Sequence, residues 1–212
     1  MTVHRREASA TRRAAPLALL LAACFALSTL VALRLPLVDP DEGRNAEVAR
    51  EMAVSGDLVV PHLAGMPYLD KPPGFFWAAA LSIRALGPTP LAARLPSVLA
   101  SLATLALVGA AARRAGGDRL ALIAVALLAA APLYAALSAY VIFDMPLTLC
   151  VTVVWLGVAR EVGEARGLAP IAGGARVRRR LAMFAAIAAG VLLKGPVMLA
   201  WALGGSLGAA LM

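Results

Sequence analysis

The chain has 212 residues, of which 61% are hydrophobic, and its mean hydropathy is +0.83. Soluble domains are roughly half apolar, so this composition and the long Leu/Ala/Val runs exclude an ordinary soluble domain and indicate an integral membrane protein. The net charge of +8 argues little for nucleic acid, because the basic residues lie in short clusters between apolar runs, as in membrane proteins. Cys24 and Cys150 both lie in apolar runs, so we expect two buried free thiols without a disulfide or a metal-binding spacing.

The first apolar run, residues 14–38, follows an arginine-rich N-terminus and is predicted to be the first membrane span. A spanning helix needs about 20 apolar residues, and Arg34 near the far end can extend its charge to the membrane surface. Residues 21–24 (LAAC) also resemble a lipoprotein cleavage site behind a basic leader. The apolar sequence continues beyond Cys24, where a lipoprotein would become polar, and this favours the span.

A long polar interval follows at residues 39–73 and opens a first loop that we place at 39–90. We expect Asp39 to N-cap a helix, with Pro40 at its first position and Asp41 and Glu42 in its first turn. Alanine, valine and methionine between residues 46 and 53 give this helix one apolar face, which is typical of an amphipathic helix lying on a membrane. Ser55-Gly56 is expected to end it.

The rest of the chain alternates between short polar links and apolar runs. A second juxtamembrane helix is predicted at 74–86, where Phe75, Phe76 and Trp77 are suited to the membrane interface. Lys194-Gly195-Pro196 interrupts an apolar run that would otherwise be about 48 Å long, too long for one crossing. Five further spans are predicted at residues 95–112, 120–137, 141–159, 181–194 and 196–212.

The distribution of charge gives an orientation. With one crossing per span, the arginine clusters at 5–13, 113–119 and 160–180 share one side, which the positive-inside rule makes cytoplasmic together with the N-terminus. The predicted fold class is therefore all-α, a polytopic transmembrane helix bundle whose extracytoplasmic first loop carries amphipathic juxtamembrane helices. The opposite face then collects the two lysines of the chain with four carboxylates: Lys71, Lys194, Asp41, Glu42, Asp70 and Asp144.

This collection of charges has a chemical and a simpler interpretation. A carboxylate can accept the proton of a hydroxyl, and lysine or arginine can stabilise a phosphate leaving group, so the set suits transfer from a lipid-linked phosphate donor. Alternatively, Asp41 and Glu42 are first-turn carboxylates, Asp144 caps a helix, and Lys71 and Lys194 anchor the interface. The residues alone leave both interpretations open.

The sequence PDEGRNAEVAREMAVSGDLVVPHLAGMPYLDKPPGFFW at 40–77 resembles the first periplasmic loop of the GT-C glycosyltransferases. The branch it resembles contains the aminoarabinose transferases and the protein O-mannosyltransferases, which use polyprenyl-phosphate sugars as donors. Three later motifs agree in order: ARLP at 93–96, FDMP at 143–146 and LKGP at 193–196. The resemblance covers about residues 15 to 200.

The resemblance implies an inverting transfer and a role for each matching residue. Asp41 matches the general base of the loop, with Glu42 as its partner, and Asp144 matches a second aspartate of the site. Lys71 matches a lysine that meets the donor phosphate, and we group Arg44 and Lys194 with it as phosphate-binding cations. Glu47 matches a position that orders the loop.

Asp70 departs from the family pattern, because the aminoarabinose transferases have at this place a glutamate that resembles a metal ligand. The resemblance therefore makes Asp70 a candidate metal ligand and a divalent cation a candidate cofactor. Family members also have more spans than the six predicted here and often a C-terminal soluble domain. We accordingly expect residues 1–212 to be the N-terminal part of one transmembrane domain.

The sequence therefore predicts a glycosyltransferase of the bacterial inner membrane. It would move a sugar from a polyprenyl-phosphate donor to a lipid or protein acceptor on the extracytoplasmic face, with no nucleic-acid partner. One alternative is a transporter or flippase-like protein, although we find neither the internal repeat nor the midplane charges typical of transporters. Another alternative is a truncated, non-catalytic membrane protein.

Overall fold

A computed structural model describes the backbone of residues 2–168 and 173–211 and the side chains of residues 16–168 and 174–208. The described residues form eight helices and one short hairpin, which confirms the predicted all-α fold class. The helices are α1 (Thr2–Arg34), α2 (Asp41–Ser55), α3 (Gly74–Leu86), α4 (Pro90–Ala130), α5 (Pro132–Leu137), α6 (Asp144–Ala165), α7 (Gly173–Lys194) and α8 (Val197–Leu211). Between α2 and α3, strands β1 (His62–Leu63) and β2 (Met66–Pro67) pair in antiparallel register.

Three of the described helices are long and apolar enough to cross a membrane. They are α1 from Pro16 to Arg34, α4 and α6. The predicted fifth span lies in α7, which begins within the arginine cluster, and the predicted sixth lies in the shorter apolar helix α8. Gly195, at φ +67°, separates these two helices, as the Lys194-Gly195-Pro196 break predicts.

Helix α4 contains the second predicted span and most of the third, folded into a hairpin. Its backbone leaves the helical region at Gly116 and Gly117, and Gly117 has φ +76°, which glycine adopts without strain. The two halves then run back along each other, and Leu105 of the first half packs with Ala121 and Val125 of the second. Beyond the end of α4, the hydroxyl of Tyr134 in α5 donates a 2.7 Å hydrogen bond to the carbonyl of Ser101. The turn between spans two and three therefore lies at the two glycines.

Several helix ends differ by a few residues from the ends of the predicted spans, mainly because prolines end helices early. Helix α1 ends at Arg34 rather than residue 38, since Pro36 disfavours a helical residue before it. The third span is interrupted after Ala130 for the same reason, by Pro132. Helix α6 begins at Asp144, and residues 138–143 form an irregular link.

The start of α2 also differs from the prediction. Pro40 precedes the first helical residue, Asp41, and no side chain caps the helix there, so Asp39 is not its N-cap. The carboxylate of Glu42 instead reaches back and accepts a 2.9 Å hydrogen bond from the backbone N–H of Val38. The predicted end is confirmed, since Gly56 at φ +77° follows Ser55.

The main core joins the first loop to the bundle. The predicted apolar face of α2 is buried, together with Phe75 and Phe76 of α3. Both rings pack on Phe143, with centroids 4.9 and 5.4 Å away. These two phenylalanines are therefore core residues rather than interface residues, whereas Trp77 stays partly exposed. Of the two free cysteines, Cys150 is buried as predicted and Cys24 is half-buried.

Candidate functional site

A buried ion pair joins Glu42 of α2 to Arg94 of α4. The guanidinium donates from Nε to Oε1 at 2.8 Å and from Nη2 to Oε2 at 2.6 Å, and both side chains are at most 2% exposed. Arg94 also donates to the carbonyls of Leu35 and Pro36, at 2.7 and 2.8 Å. One arginine thus ties the segment after α1 to α2 and α4.

Glu42 extends the same connection to the link between α5 and α6. The backbone N–H of Val141 donates to Oε1 at 2.9 Å, so each carboxylate oxygen accepts two hydrogen bonds. Asn45, one turn along α2, donates to the carbonyl of Val141 at 2.9 Å. Burial raises the pKa of Glu42, but the hydrogen bonds from Arg94, Val38 and Val141 outweigh it and lower the pKa below 4.5. Glu42 is thus an ionised structural anchor.

Asp41, next to Glu42 in the sequence, is the accessible carboxylate of the Asp-Glu pair. Its side chain is 50% exposed, and its Oδ1 accepts a 2.6 Å hydrogen bond from Nη2 of Arg44, one turn along α2. Among the described residues, no donor reaches its Oδ2. Since Glu42 is fixed in the core of the protein, α2 presents Asp41 to the outside with one free oxygen.

Lys71 lies at the other end of the polar loop, beside Asp70. Its Nζ is 3.2 Å from Oδ2 of Asp70, which also accepts a 3.3 Å hydrogen bond from the hydroxyl of Tyr68. The hydrogen bond and charge of Lys71 lower the pKa of Asp70, with smaller contributions from Tyr68 and from the charge of Arg44. Tyr68 also packs against the core cluster that contains the buried face of α2, so the end of the loop lies close to this helix.

The loop between them is held by a residue that the sequence analysis did not single out. The carboxylate of Glu51 accepts hydrogen bonds from the backbone N–H groups of Ala64 and Gly65, at 2.6 and 3.1 Å, at the tip of the hairpin. Glu47, predicted to order the loop, accepts two hydrogen bonds from Arg50 on its own helix. Glu51 is therefore the residue of α2 that binds the hairpin tip, and the role of Glu47 stays a prediction.

Asp144 and Lys194 meet, although 50 residues separate them in the sequence. The Lys194 Nζ donates to Oδ1 of Asp144 at 2.7 Å, and both side chains are about one-third exposed. Asp144 begins α6, three residues after Val141, which binds Glu42. The anchor of Glu42 therefore also fixes the start of the helix that carries Asp144.

A family comparison identifies the fold. Residues 70–204 match the family model described as dolichyl-phosphate-mannose-protein mannosyltransferase. The chain belongs to this family.

Curated relatives in this family point to one kind of enzyme. The chain is 37% identical over 155 residues to the undecaprenyl phosphate-alpha-4-amino-4-deoxy-L-arabinose arabinosyl transferase of Edwardsiella ictaluri, covering 70% of the chain and 28% of the relative. It is 34% identical over 143 residues to arabinosyl transferase 2 of Sodalis glossinidius, covering 65% of the chain and 26% of the relative. The chain thus spans less than a third of the length of these relatives.

Two solved structures share the fold. ArnT from Cupriavidus metallidurans in the apo state matches with a TM-score of 0.76 and 32% identity, over 88% of this chain and 34% of ArnT. The same protein bound to undecaprenyl phosphate matches with a TM-score of 0.75, over 86% of this chain and 33% of ArnT. The resemblance to the GT-C transferases and the all-α membrane fold are thereby confirmed.

Arg94, like Glu51, is a residue of this region to which the sequence patterns assigned no role. Arg94 lies in the ARLP motif at 93–96. A charged side chain beside an apolar run requires a partner, because an unpaired buried charge is costly. That rule, applied to Arg94, would have pointed to a buried carboxylate such as Glu42.

The metal role predicted for Asp70 stays a prediction. Its carboxylate already has the ammonium group of Lys71 and the hydroxyl of Tyr68 as partners. Nowhere in the described part of the chain do three or more histidine, cysteine, aspartate or glutamate side chains form a group suited to a metal. Hard divalent cations need several oxygen ligands, so Asp70 alone does not make a metal centre.

Proposed function

We propose that this chain carries the donor-phosphate and general-base groups of a polyprenyl-phosphate-dependent glycosyltransferase. The observation that carries the proposal is the accessible Asp41 carboxylate, which has one free oxygen and lies beside Arg44 on a helix that Glu42 anchors. The names of the relatives favour undecaprenyl phosphate linked to 4-amino-4-deoxy-L-arabinose as the donor. The acceptor in this proposal is a lipid.

The proposed reaction is a single inverting displacement. Asp41 accepts the proton of the acceptor hydroxyl, whose oxygen forms a bond to the anomeric carbon while the bond from that carbon to the phosphate oxygen breaks. Polyprenyl phosphate leaves with the bonding electrons. Lys71 and Arg44 stabilise the negative charge that develops on it, because charge-assisted hydrogen bonds strengthen as the phosphate gains charge. Asp144 and Lys194 form a second charged pair for binding the sugar or the phosphate.

The membrane topology belongs to the same proposal. We place the protein in the bacterial inner membrane with the N-terminus in the cytoplasm, because the arginine-rich segments then share the cytoplasmic side. Single cysteines at Gly65 and at Asp118, in a protein with Cys24 and Cys150 replaced by serine, would react differently with an impermeant maleimide in intact spheroplasts. Labelling at residue 65 but not at 118 is expected, and the reverse pattern would overturn the topology.

The test of function uses the whole protein in membranes, with undecaprenyl-phosphate aminoarabinose as donor and lipid A as acceptor. Asp41→Asn should reduce transfer by about two to four orders of magnitude, since it removes the base and keeps the shape. Asp118→Asn is the matched control, because Asp118 pairs with Arg113 beside the Gly116-Gly117 turn in the middle of α4, far from Asp41. Undiminished transfer by Asp41→Asn would overturn the assignment of the base. Movement of the donor lipid across the membrane without sugar transfer by the unmodified protein would favour the flippase-like alternative.

A further inference from the structure

A concave surface lies at the end of the bundle opposite Asp41. It has a volume of about 570 Å³ and lies between the first half of α4, the end of α6 and the start of α7. Its walls are apolar, including Leu107, Val153 and Leu156, and its rim carries Arg114, Arg160 and Arg179. Sixteen residues of α6 separate Arg160 from Asp144, or roughly 24 Å of helix, so this groove is distinct from the candidate site.

The net charge around the groove is positive, even when the carboxylates that pair with its arginines are included. Arg160, Arg176, Arg179 and Arg180 contact two carboxylates, those of Glu161 and Glu164. Four positive charges therefore face two negative ones. Arg114 is exposed and has no ion pair among the described residues. The described residues that line the groove include no aspartate or glutamate.

The carboxylates hold this rim in place rather than filling the groove. Glu164 is 1% exposed and accepts hydrogen bonds from Nη1 and Nη2 of Arg179, both at 2.9 Å. This contact fixes the start of α7 against the end of α6. Arg160 remains 44% exposed, and its 3.6 Å approach to Glu164 is longer than a hydrogen bond. Arg114 and Arg160 are thus available to a ligand.

An apolar groove that ends in free guanidinium groups matches an anionic lipid. Acyl chains can lie on the leucine and valine walls, while the phosphate meets the arginines, which bind phosphate oxygens in a bidentate manner. Basic pockets between spanning helices recognise such headgroups. A zwitterionic headgroup is disfavoured, because its ammonium group would approach the same arginines.

We propose that this groove binds an anionic glycerophospholipid through Arg114 and Arg160. The purified protein, stripped of lipid in detergent, should retain phosphatidylglycerol in native mass spectrometry more strongly than phosphatidylcholine of the same acyl composition. Replacing both residues (Arg114→Gln with Arg160→Gln) should lower phosphatidylglycerol binding by about tenfold or more, since each arginine contributes roughly a factor of five. Arg114→Lys with Arg160→Lys should retain most of the preference.

The matched control is Arg119→Gln with Arg166→Gln, which removes two exposed arginines at the same end that do not line the groove. The control should bind phosphatidylglycerol like the unmodified protein. Equal binding of the two phospholipids, or an unchanged preference in Arg114→Gln with Arg160→Gln, would overturn the proposal. So would undecaprenyl phosphate binding that exceeds phosphatidylglycerol binding and is lost in the same variant, because the groove would then serve a single-chain phosphate lipid.

Discussion

Arg94 and Glu42 form two hydrogen bonds, of 2.8 and 2.6 Å, across 52 residues of sequence and in the buried interior of the protein. This pair connects the segment after α1, the first loop, the hairpin helix α4 and the link before α6. Every candidate site residue in the first loop and on α6 depends on one of those segments for its position. The anchor is therefore the structural basis of the site, although neither of its residues is accessible to a substrate.

Removing one partner of this pair should destabilise the protein strongly. Arg94→Met leaves the Glu42 carboxylate buried without its counter-charge, and breaking a buried pair in this way costs about 3–5 kcal/mol. The free energy of unfolding in detergent measures the loss. Asp118→Asn, at an exposed pair, should cost about 1 kcal/mol or less. An Arg94→Met variant as stable as the Asp118→Asn variant would show that Glu42 does not need the arginine.

The same anchor predicts a dependence of stability on pH. The pKa of Glu42 is lower in the folded protein than its usual value of 4.5, so near pH 4.5 the unfolded chain binds more protons at this residue. The contribution of Glu42 is therefore fully present above that pH and is lost as the pH falls through the folded pKa. The free energy of unfolding should be measured from pH 7 to pH 3 for the unmodified protein and for Glu42→Gln. The difference between the two should shrink below about pH 4.5. A constant difference would contradict the anchor.

Glu51 and Glu47 should behave differently although both are glutamates of α2. Glu51→Gln weakens the two hydrogen bonds to the hairpin tip, so the N–H groups of Ala64 and Gly65 should exchange with deuterium about tenfold faster or more. Glu47→Gln, which affects only the exposed pair with Arg50, should leave the hairpin unchanged and serves as the control. Equal exchange in the two variants would assign loop ordering to neither residue.

Lys71 should affect the use of the donor more than the stability of the fold. Its pair with Asp70 is exposed, so Lys71→Ala should change stability by about 1 kcal/mol or less. Loss of a charged hydrogen bond to phosphate should lower kcat/KM for the donor by about 10- to 100-fold. Lys71→Arg should restore part of the activity, since it keeps the charge. An unchanged kcat/KM for Lys71→Ala would remove Lys71 from the proposed phosphate site.

Asp144 and Lys194 should likewise affect transfer more than the stability of the fold. Each is about one-third exposed, and partly exposed pairs contribute little to folding. In the whole protein, Asp144→Asn and Lys194→Met should each reduce transfer by about tenfold or more while the unfolding temperature changes by only a few degrees. If the unfolding temperature and the transfer activity fall together, the pair is structural.

The sequence by itself determined the class of protein, the helical elements and which residues carry charge outside the apolar runs. Hydropathy and composition depend on local sequence, so the membrane class and the helix α2 with its end at Gly56 were predictable. The motifs at 40–77, 93–96, 143–146 and 193–196 were sufficient for the family. Several helix ends differ from the predicted boundaries, because a proline disfavours the helical conformation of the residue before it.

Only the tertiary structure decided what each charged residue does. Asp41 and Glu42 are neighbours in the sequence with the same chemistry, yet one is half exposed and the other has no exposed surface. The difference arises because Arg94, 52 positions away, and Val141, 99 positions away, converge on Glu42 alone. Such convergence depends on the packing of α1, α2 and α4, which no local pattern encodes. Asp41 is left as the carboxylate that a substrate can reach.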